Sequence, residues 1–312
     1  MTNPPEEHPL MHTGEPLRPG AAELPGASRQ NGEPLALDAV REAGEAVSAA
    51  HRFIYLVPES AEEAAGLGVT DRGRAYFALR SAAMGAVPWQ VTFAAFYNFS
   101  PQAVRTMAGV WDAAPPEQWQ AARFRAAGRA LRRVGADLAP DRIAEARALL
   151  DPVVASADHA GKVLAAANAS VPLPRDPLVA LWQQLTVVRE WRGDAHLAVL
   201  AAHRLGPCEC LVLHTATGRL PVPIARATRR WDDAEWAAAT ERLVARGWLA
   251  PDGTPTDAGR AARERIETET DEHCAALWAP VGEAGARRLA ALVAPIIEAF
   301  TAAGTFEALR TG

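Results

Sequence analysis

The segment from Asp232 to Trp278 constrains this chain most, because four backbone signals follow one another there in an order few folds use. Asp232-Asp233-Ala234-Glu235 puts acids where a helix N-terminus is positive. The helix they open runs through Leu243 and stops at Arg246-Gly247, where glycine permits a left-handed exit. Trp248-Leu249-Ala250 reads as a short apolar strand, Asp252-Gly253 as a tight turn, and Thr254-Pro255-Thr256 as the return strand. Thr256 then caps a helix that reaches Trp278. The order helix, strand, turn, strand, helix predicts a two-stranded wing between two helices.

Upstream, Asp194–Leu205 reads as a helix closed by Gly206, Pro207–Ala216 as a second, and residues 217–228 as a loop containing Gly and Pro. The stretch Glu241–Leu249 resembles the recognition helix and wing of MarR-type regulators. In the first half, Leu37, Val40, Gly44, Val47, His51 and Ile54 recur at three- and four-residue steps, so a helix faces a core there. Val87–Phe99 is uncharged and dense in aromatics, which suggests a buried helix and a turn, and Ser100-Pro101 is a good cap for the next helix. Long helices are predicted near residues 117–135 and 141–167. The expected fold is mainly α: an N-terminal helical domain (35–170) and a C-terminal winged-helix domain with a two-stranded wing (178–305). The boundary falls in the proline-rich stretch Asn168–Pro177. Residues 1–34, rich in Pro, Gly and Glu and without periodicity, read as a disordered tail.

A length of 312 residues fits two domains, and 49% apolar residues suffice for a sizeable core. No apolar run is long enough for a transmembrane helix, and the N-terminus lacks the apolar stretch of a secretory signal. Three cysteines, Cys208, Cys210 and Cys274, make no disulfide framework and fit a reducing compartment. A cytoplasmic protein without membrane contact is therefore expected. The net charge of −5 is unlike the basic balance of a surface devoted to DNA.

Four further stretches carry a closer likeness: His51-x-x-x-Tyr55-x-x-Pro58-Glu59, Ser81-Ala82-Ala83-Met84-Gly85, Trp191-Arg192-Gly193-Asp194-Ala195-His196 and Glu267-x-x-Thr270-Asp271. Together they resemble the SalK-type helix-turn-helix family of actinobacteria over about residues 36–305. Ala83 stands where that pattern has proline. The resemblance implies the fold and a regulator-like role, but no reaction.

Candidate sites divide by reading. For DNA, residues 193–277 hold 10 Arg against 13 Asp or Glu, and the predicted recognition helix opens on Asp232, Asp233 and Glu235. Arg226, Arg229 and Arg230 form the one basic cluster, so weak, salt-sensitive DNA binding is expected. For a small-molecule ligand, the candidates are His51, Tyr55, Arg80, Met84, Trp89 and Tyr97. For an enzyme, His51, Arg192, His196, Glu267 and Asp271 would supply acid/base or metal-binding groups in one interdomain cleft. Glu267 and Asp271 are four residues apart, a spacing that repels unless a cation, Arg192 or a metal, lies between them. Arg192 is therefore expected within salt-bridge distance of one of them, with His196 beside. The bland readings stand beside these: Asp194 as a helix N-cap after a bend at Gly193, His51 as a core histidine, and the acid pair as a solvated face.

His203, Cys208, Cys210 and His214 only superficially resemble a zinc set, since Cys208 and Cys210 diverge on a helix. No pattern assigns a metal or a cofactor. Three readings remain: a ligand-responsive winged-helix regulator associated with specialised metabolism, expected as a homodimer through its terminal helices; a small-molecule enzyme on the same scaffold; and a purely structural partner protein.

Overall fold

The computed structural model describes residues 35–136 and 138–307, so the expected tail lies outside the described residues. Helices dominate. In the first half they are α1 (Leu37–His51), α2 (Pro58–Gly66), α3 (Arg72–Ser81), α4 (Trp89–Phe96), α5 (Pro101–Arg105), α6 (Val110–Ala113), α7 (Pro116–Arg133), α8 (Pro140–Ala155) and α9 (Val163–Ala169). The second half continues with α10 (Pro177–Ala202), α11 (Pro207–Ala216), α12 (Val222–Arg229), α13 (Asp233–Ala245), α14 (Asp257–Trp278) and α15 (Gly282–Ala302). Helices α2, α5, α7, α8, α10 and α11 all begin on proline, whose missing N–H costs nothing in a first turn. Ser100 accepts from the Ala103 amide and Thr256 from the Gly259 amide, as their positions foretold.

Four expectations are corrected. The two-stranded wing is absent: among the described residues there is no strand, only one antiparallel bridge between Leu249 and Pro255. Pro255 has no N–H to extend a ladder, and Pro251 limits the other side. The turn itself is present, with the Ala250 amide donating to Thr254 O at 2.8 Å and the Gly253 amide to Ala250 O at 2.9 Å. The winged helix therefore gives way to an all-helical arrangement. Second, residues 217–228 are not one loop, because Pro221 and Pro223 flank the start of α12. Third, Gly193 does not bend the chain. Helix α10 passes straight through it, and Asp194 caps α9 from the side by accepting the Ala165 amide at 3.0 Å. The long helix expected over residues 141–167 is in fact α8 and α9, parted around Ser156–Lys162.

Helix α10 is the axis of the molecule. Its residues Leu181, Trp182, Leu185 and Val188 join Val40 and Val47 of α1, Leu150 of α8 and Leu289 and Phe300 of α15 in one apolar cluster. That cluster draws on both sides of the Asn168–Pro177 stretch. A second cluster gathers Phe77, Phe96, Phe99 and Trp119, and a third, around Leu213, Leu243 and Ile266, holds α11, α13 and α14 together. No helix among the described residues is long and apolar enough to cross a membrane.

The bridged turn is pinned where α14 starts. A Cβ at Gly259 would lie 2.0 Å from the Trp248 carbonyl oxygen and 2.9 Å from its carbon, so backbone would have to move. Gly259→Ala is expected to lower stability by about 2–3 kcal/mol in chemical denaturation, the usual cost of overpacking. An unchanged midpoint would show that the turn shifts freely.

Candidate functional site

Two side-chain assemblies lie on α10, and they differ in kind. The first is a lattice of ion pairs joining α1, α10 and α14. Arg192 Nη2 donates to Glu267 Oε2 at 2.8 Å and to Asp271 Oδ1 at 3.2 Å. Arg192 passes over α1 at Gly44, where a Cβ would lie 3.0 Å from its Cδ. Arg41 reaches Asp271 Oδ2 at 2.6 Å and Glu264 at 2.7 Å, and Arg263 pairs with Glu267. The cation expected between Glu267 and Asp271 is thus present, but each acid also has a second guanidinium. Losing Arg192 alone would therefore leave neither acid unpaired.

His196 sits beside the lattice with Nδ1 2.9 Å from Thr270 Oγ1. The Thr270 hydroxyl already donates to Ile266 O, so the His196 Nδ1–H must donate to it. Burial outweighs the neighbouring Glu267 and brings His196 down to about 4. Burial and Arg263 do the same to His214, also to about 4. Glu267 falls to about 2 because Arg263, His196 and Arg192 outweigh its burial. Paired acids and neutral imidazoles make this lattice a clamp, poorly suited to moving protons near neutral pH. His51, the fifth residue of the enzyme reading, is elsewhere. It is fully buried and stacked on Trp182, with ring centroids 5.3 Å apart.

The second assembly is a cavity of about 490 Å³ between the 3₁₀ turn after α1, α3, α5, α10 and α12. Its lining includes Arg52, Arg72, Arg189, Arg229 and Arg230, the rings of Tyr55, Tyr76, Phe77 and Phe99, and no acidic residue among those described. The Arg229 guanidinium lies 4.6 Å from the Phe99 ring centroid, and its Nε has no hydrogen-bond partner. Behind the wall, Arg80 grips Glu190 with a fork of 2.9 and 3.1 Å, and Arg189 adds a contact of 2.5 Å. Burial alone would raise Glu190, but Arg189 and Arg80 hold it well below the usual carboxylate range. Arg80 also donates to the Tyr76 hydroxyl at 3.1 Å, which fixes that ring in the wall.

Of the residues proposed from sequence for a ligand, Tyr55 lines this cavity and Arg80 braces it from behind. Met84 and Trp89 pack instead against the Phe96–Trp119 cluster, and Tyr97 donates to Leu205 O. The three arginines proposed for DNA separate: Arg226 pairs with Asp233, while Arg229 and Arg230 face the cavity. The zinc-like set disperses as well, with His203 on Glu269 at 2.7 Å and Cys210 Sγ on Pro207 O at 3.1 Å. Among the described residues no group of three or more His, Cys, Asp or Glu is placed to hold a metal.

One helix of the cavity wall belongs to a recognisable unit. Helix α12 ends at Arg229, Arg230 turns the chain in a left-handed conformation at φ 55°, and α13 begins after Asp232, its cap. Helix α11 packs against α13, which completes a three-helix unit around a short turn. That arrangement defines a helix-turn-helix protein. The sequence matches the Helix-turn-helix family over residues 40–307, and the chain belongs to that family. Membership fits a DNA-binding regulator in general. No curated protein and no solved structure gave a significant match.

Two outcomes are expected of the ion-pair lattice. Above about pH 6.5 His196 and His214 are neutral in both folded and unfolded chains. Below it the unfolded chain takes up protons that the folded chain refuses until about pH 4, so stability falls as pH falls. Asp194, pushed up to about 6 by burial, works in the opposite direction and offsets part of the loss. His51, held well below its usual value by burial, adds a loss of the same sign. Urea titrations should show a net loss of at least about 2 kcal/mol from pH 7 to pH 5, reduced in His214→Asn. A profile flat over that range would mean that none of these imidazoles is protected. In a double-mutant cycle, Arg192→Met should cost about 1–2 kcal/mol, whereas Arg41→Met with Arg192→Met leaves the fully buried Asp271 without a cation and should cost more than the two singles together. Strict additivity would show that the two arginines do not share Asp271.

Proposed function

We propose that this chain is a ligand-responsive helix-turn-helix regulator whose effector is an organic anion with a flat apolar body. The observation that carries the reading is that the cavity and the helix-turn-helix share a wall. Ile224, Ala227, Thr228, Arg229 and Arg230, from α12 and its turn, line the same space as Tyr55, Tyr76 and Phe99. A lining that carries several guanidiniums and no acidic residue favours an anion, and its aromatic faces accept a flat body.

A mechanical link supports it. The backbone either side of Phe99 holds the helix-turn-helix turn: the Ser100 amide donates to Arg229 O at 2.9 Å, and the Trp231 indole to Asn98 O at 3.0 Å. Tyr97, at the head of this strap, has φ 50° and ψ −70°, a costly backbone state for a non-glycine residue. A ligand pressing on Phe99 and Arg229 would therefore act on α12 and α13 together, and its differential contact with two poses would bias the regulator. The SalK-type likeness, and with it a role in specialised metabolism, belongs to this proposal. So does the homodimer that a palindromic operator requires.

The DNA side of the proposal is modest in affinity. The solvent face of α13 carries Asp233, Glu235 and Glu241, while its Arg242 is held by Glu209 at 2.5 Å. Few phosphates can be neutralised there. The test is fluorescence anisotropy with promoter DNA from the protein's own locus, with and without small aromatic acids. Weak, strongly salt-dependent binding that changes when an aromatic acid is added is expected. Arg229→Met should reduce the response to the acid about tenfold, because it removes the cation that joins the cavity wall to α12. Binding of the acid without any change in DNA affinity would reject the regulatory reading, and tight DNA binding insensitive to salt would show that the surface of α13 is misjudged.

A further inference from the structure

Arg123, on α7, is fully buried and has only neutral partners. Its Nη1 donates to Asn168 Oδ1 at 3.3 Å and its Nη2 to His51 Nε2 at 3.2 Å, while its Nε has no partner in the protein. Burial, reinforced by the charge of Arg123, keeps the His51 ring uncharged, so it accepts without neutralising. The nearby carboxylate, Glu190, is already shared by Arg80 and Arg189. Asp194, one turn further along α10, is occupied in capping α9 and is raised to about 6 by burial. Three guanidiniums thus gather around one carboxylate, and a buried cation lacking a counter-ion is among the least favourable arrangements in a protein interior.

The Arg123 guanidinium, out of contact with solvent in this structure, lies immediately behind the wall of a space. Arg123 lines an inner chamber of about 240 Å³, and so does Tyr55, whose buried hydroxyl also has no partner. The chamber adjoins the outer cavity, with Tyr55, Leu56, Arg72 and Tyr76 lining both. The rest of its wall is mainly apolar, including Val57, Ala75 and Leu79. A tetrahedral, multiply charged anion would leave oxygens unpaired against that wall, whereas a singly charged carboxylate needs few donors.

We propose that this inner chamber is a carboxylate subsite, in which Arg123 Nε and the Tyr55 hydroxyl donate to the acid group of a small aromatic acid. It deepens the effector reading given above and rests on it only for the part of the ligand that reaches the outer cavity. The carboxylate then supplies the counter-ion that Arg123 lacks, and the aromatic wall formed by Tyr55 and Tyr76 takes the ring.

The test is calorimetric titration of the full chain with benzoate, with benzamide as the neutral isostere and with inorganic phosphate. Benzoate should bind, and benzamide and phosphate should bind at least about tenfold more weakly. Tyr55→Phe removes the hydroxyl but keeps the ring, and it should weaken benzoate about fivefold or more. Arg123→Lys should weaken it further, since a single ammonium nitrogen cannot reach the separate positions that the guanidinium offers to Asn168, His51 and the ligand. If Arg123→Lys does not fold, Tyr55→Phe decides alone. Arg105→Gln, which removes a cation stacked on Trp89 outside the chamber, should change nothing. Benzoate affinity unchanged in Tyr55→Phe, or phosphate binding as tight as benzoate, would overturn the subsite. Benzoate binding that depends on Tyr55 and leaves DNA affinity untouched would uphold the subsite while rejecting the regulator.

Discussion

Glu190 is the charge on which this interior depends. It lies on α10, the helix that the others surround, and it is 1% exposed. A lone carboxylate there would be neutral or ruinous, so the fold must bring cations to it. Arg80 arrives from α3 and Arg189 from the preceding position of α10 itself. Because Arg80 also holds Tyr76, and Tyr76 forms the wall of both chambers, the neutralisation of one acid sets the shape of the cavity. Apolar packing around Trp182 and Leu185 could be repacked with modest loss, but a broken Arg80–Glu190 fork leaves an uncompensated charge in the middle of the protein.

What the sequence disclosed follows from how local each signal is. The caps Ser100 and Thr256 were legible because a cap needs only three or four neighbouring residues. The Arg192 bridge was legible because two acids at helical spacing on one face require a cation. The wing was misread because an apolar pair, an Asp-Gly turn and a return segment look alike whether the ladder extends or stops at one bridge. Pro255, unable to donate, was the available signal. Helix α12 was missed because Pro221 and Pro223 were read as loop residues, although proline suits a helix start.

The cavity was mostly illegible for a different reason. Arg72, Arg189 and Arg229 come from three distant segments with no common spacing, and Tyr76 and Phe99 look like ordinary core aromatics. Tertiary packing alone brings them together. Arg123 did leave a trace. It sits among Trp119, Ala122, Ala126 and Ala130, on the apolar stripe of α7, where an arginine has no reason to be unless something polar is buried opposite.

The acidic face of α13 and membership of a helix-turn-helix family pull in different directions, and electrostatics shows how both can hold. Phosphate contacts supply affinity, and α13 offers none beyond Arg242, which Glu209 already occupies. The basic side chains of this unit are differently engaged: Arg229 turns inward to stack on Phe99, Arg230 lies exposed at the rim of the cavity, and Arg226 pairs with Asp233 at the surface beside Trp236. In this pose two of the cations that could meet DNA, Arg229 and Arg230, line a cavity whose wall holds no acidic residue among those described. An organic anion bound there would compete electrostatically with a phosphate backbone for the same arginines. The ligand would then oppose DNA binding through shared charge as well as through any movement of the helices, and that coupling would weaken with salt from both sides.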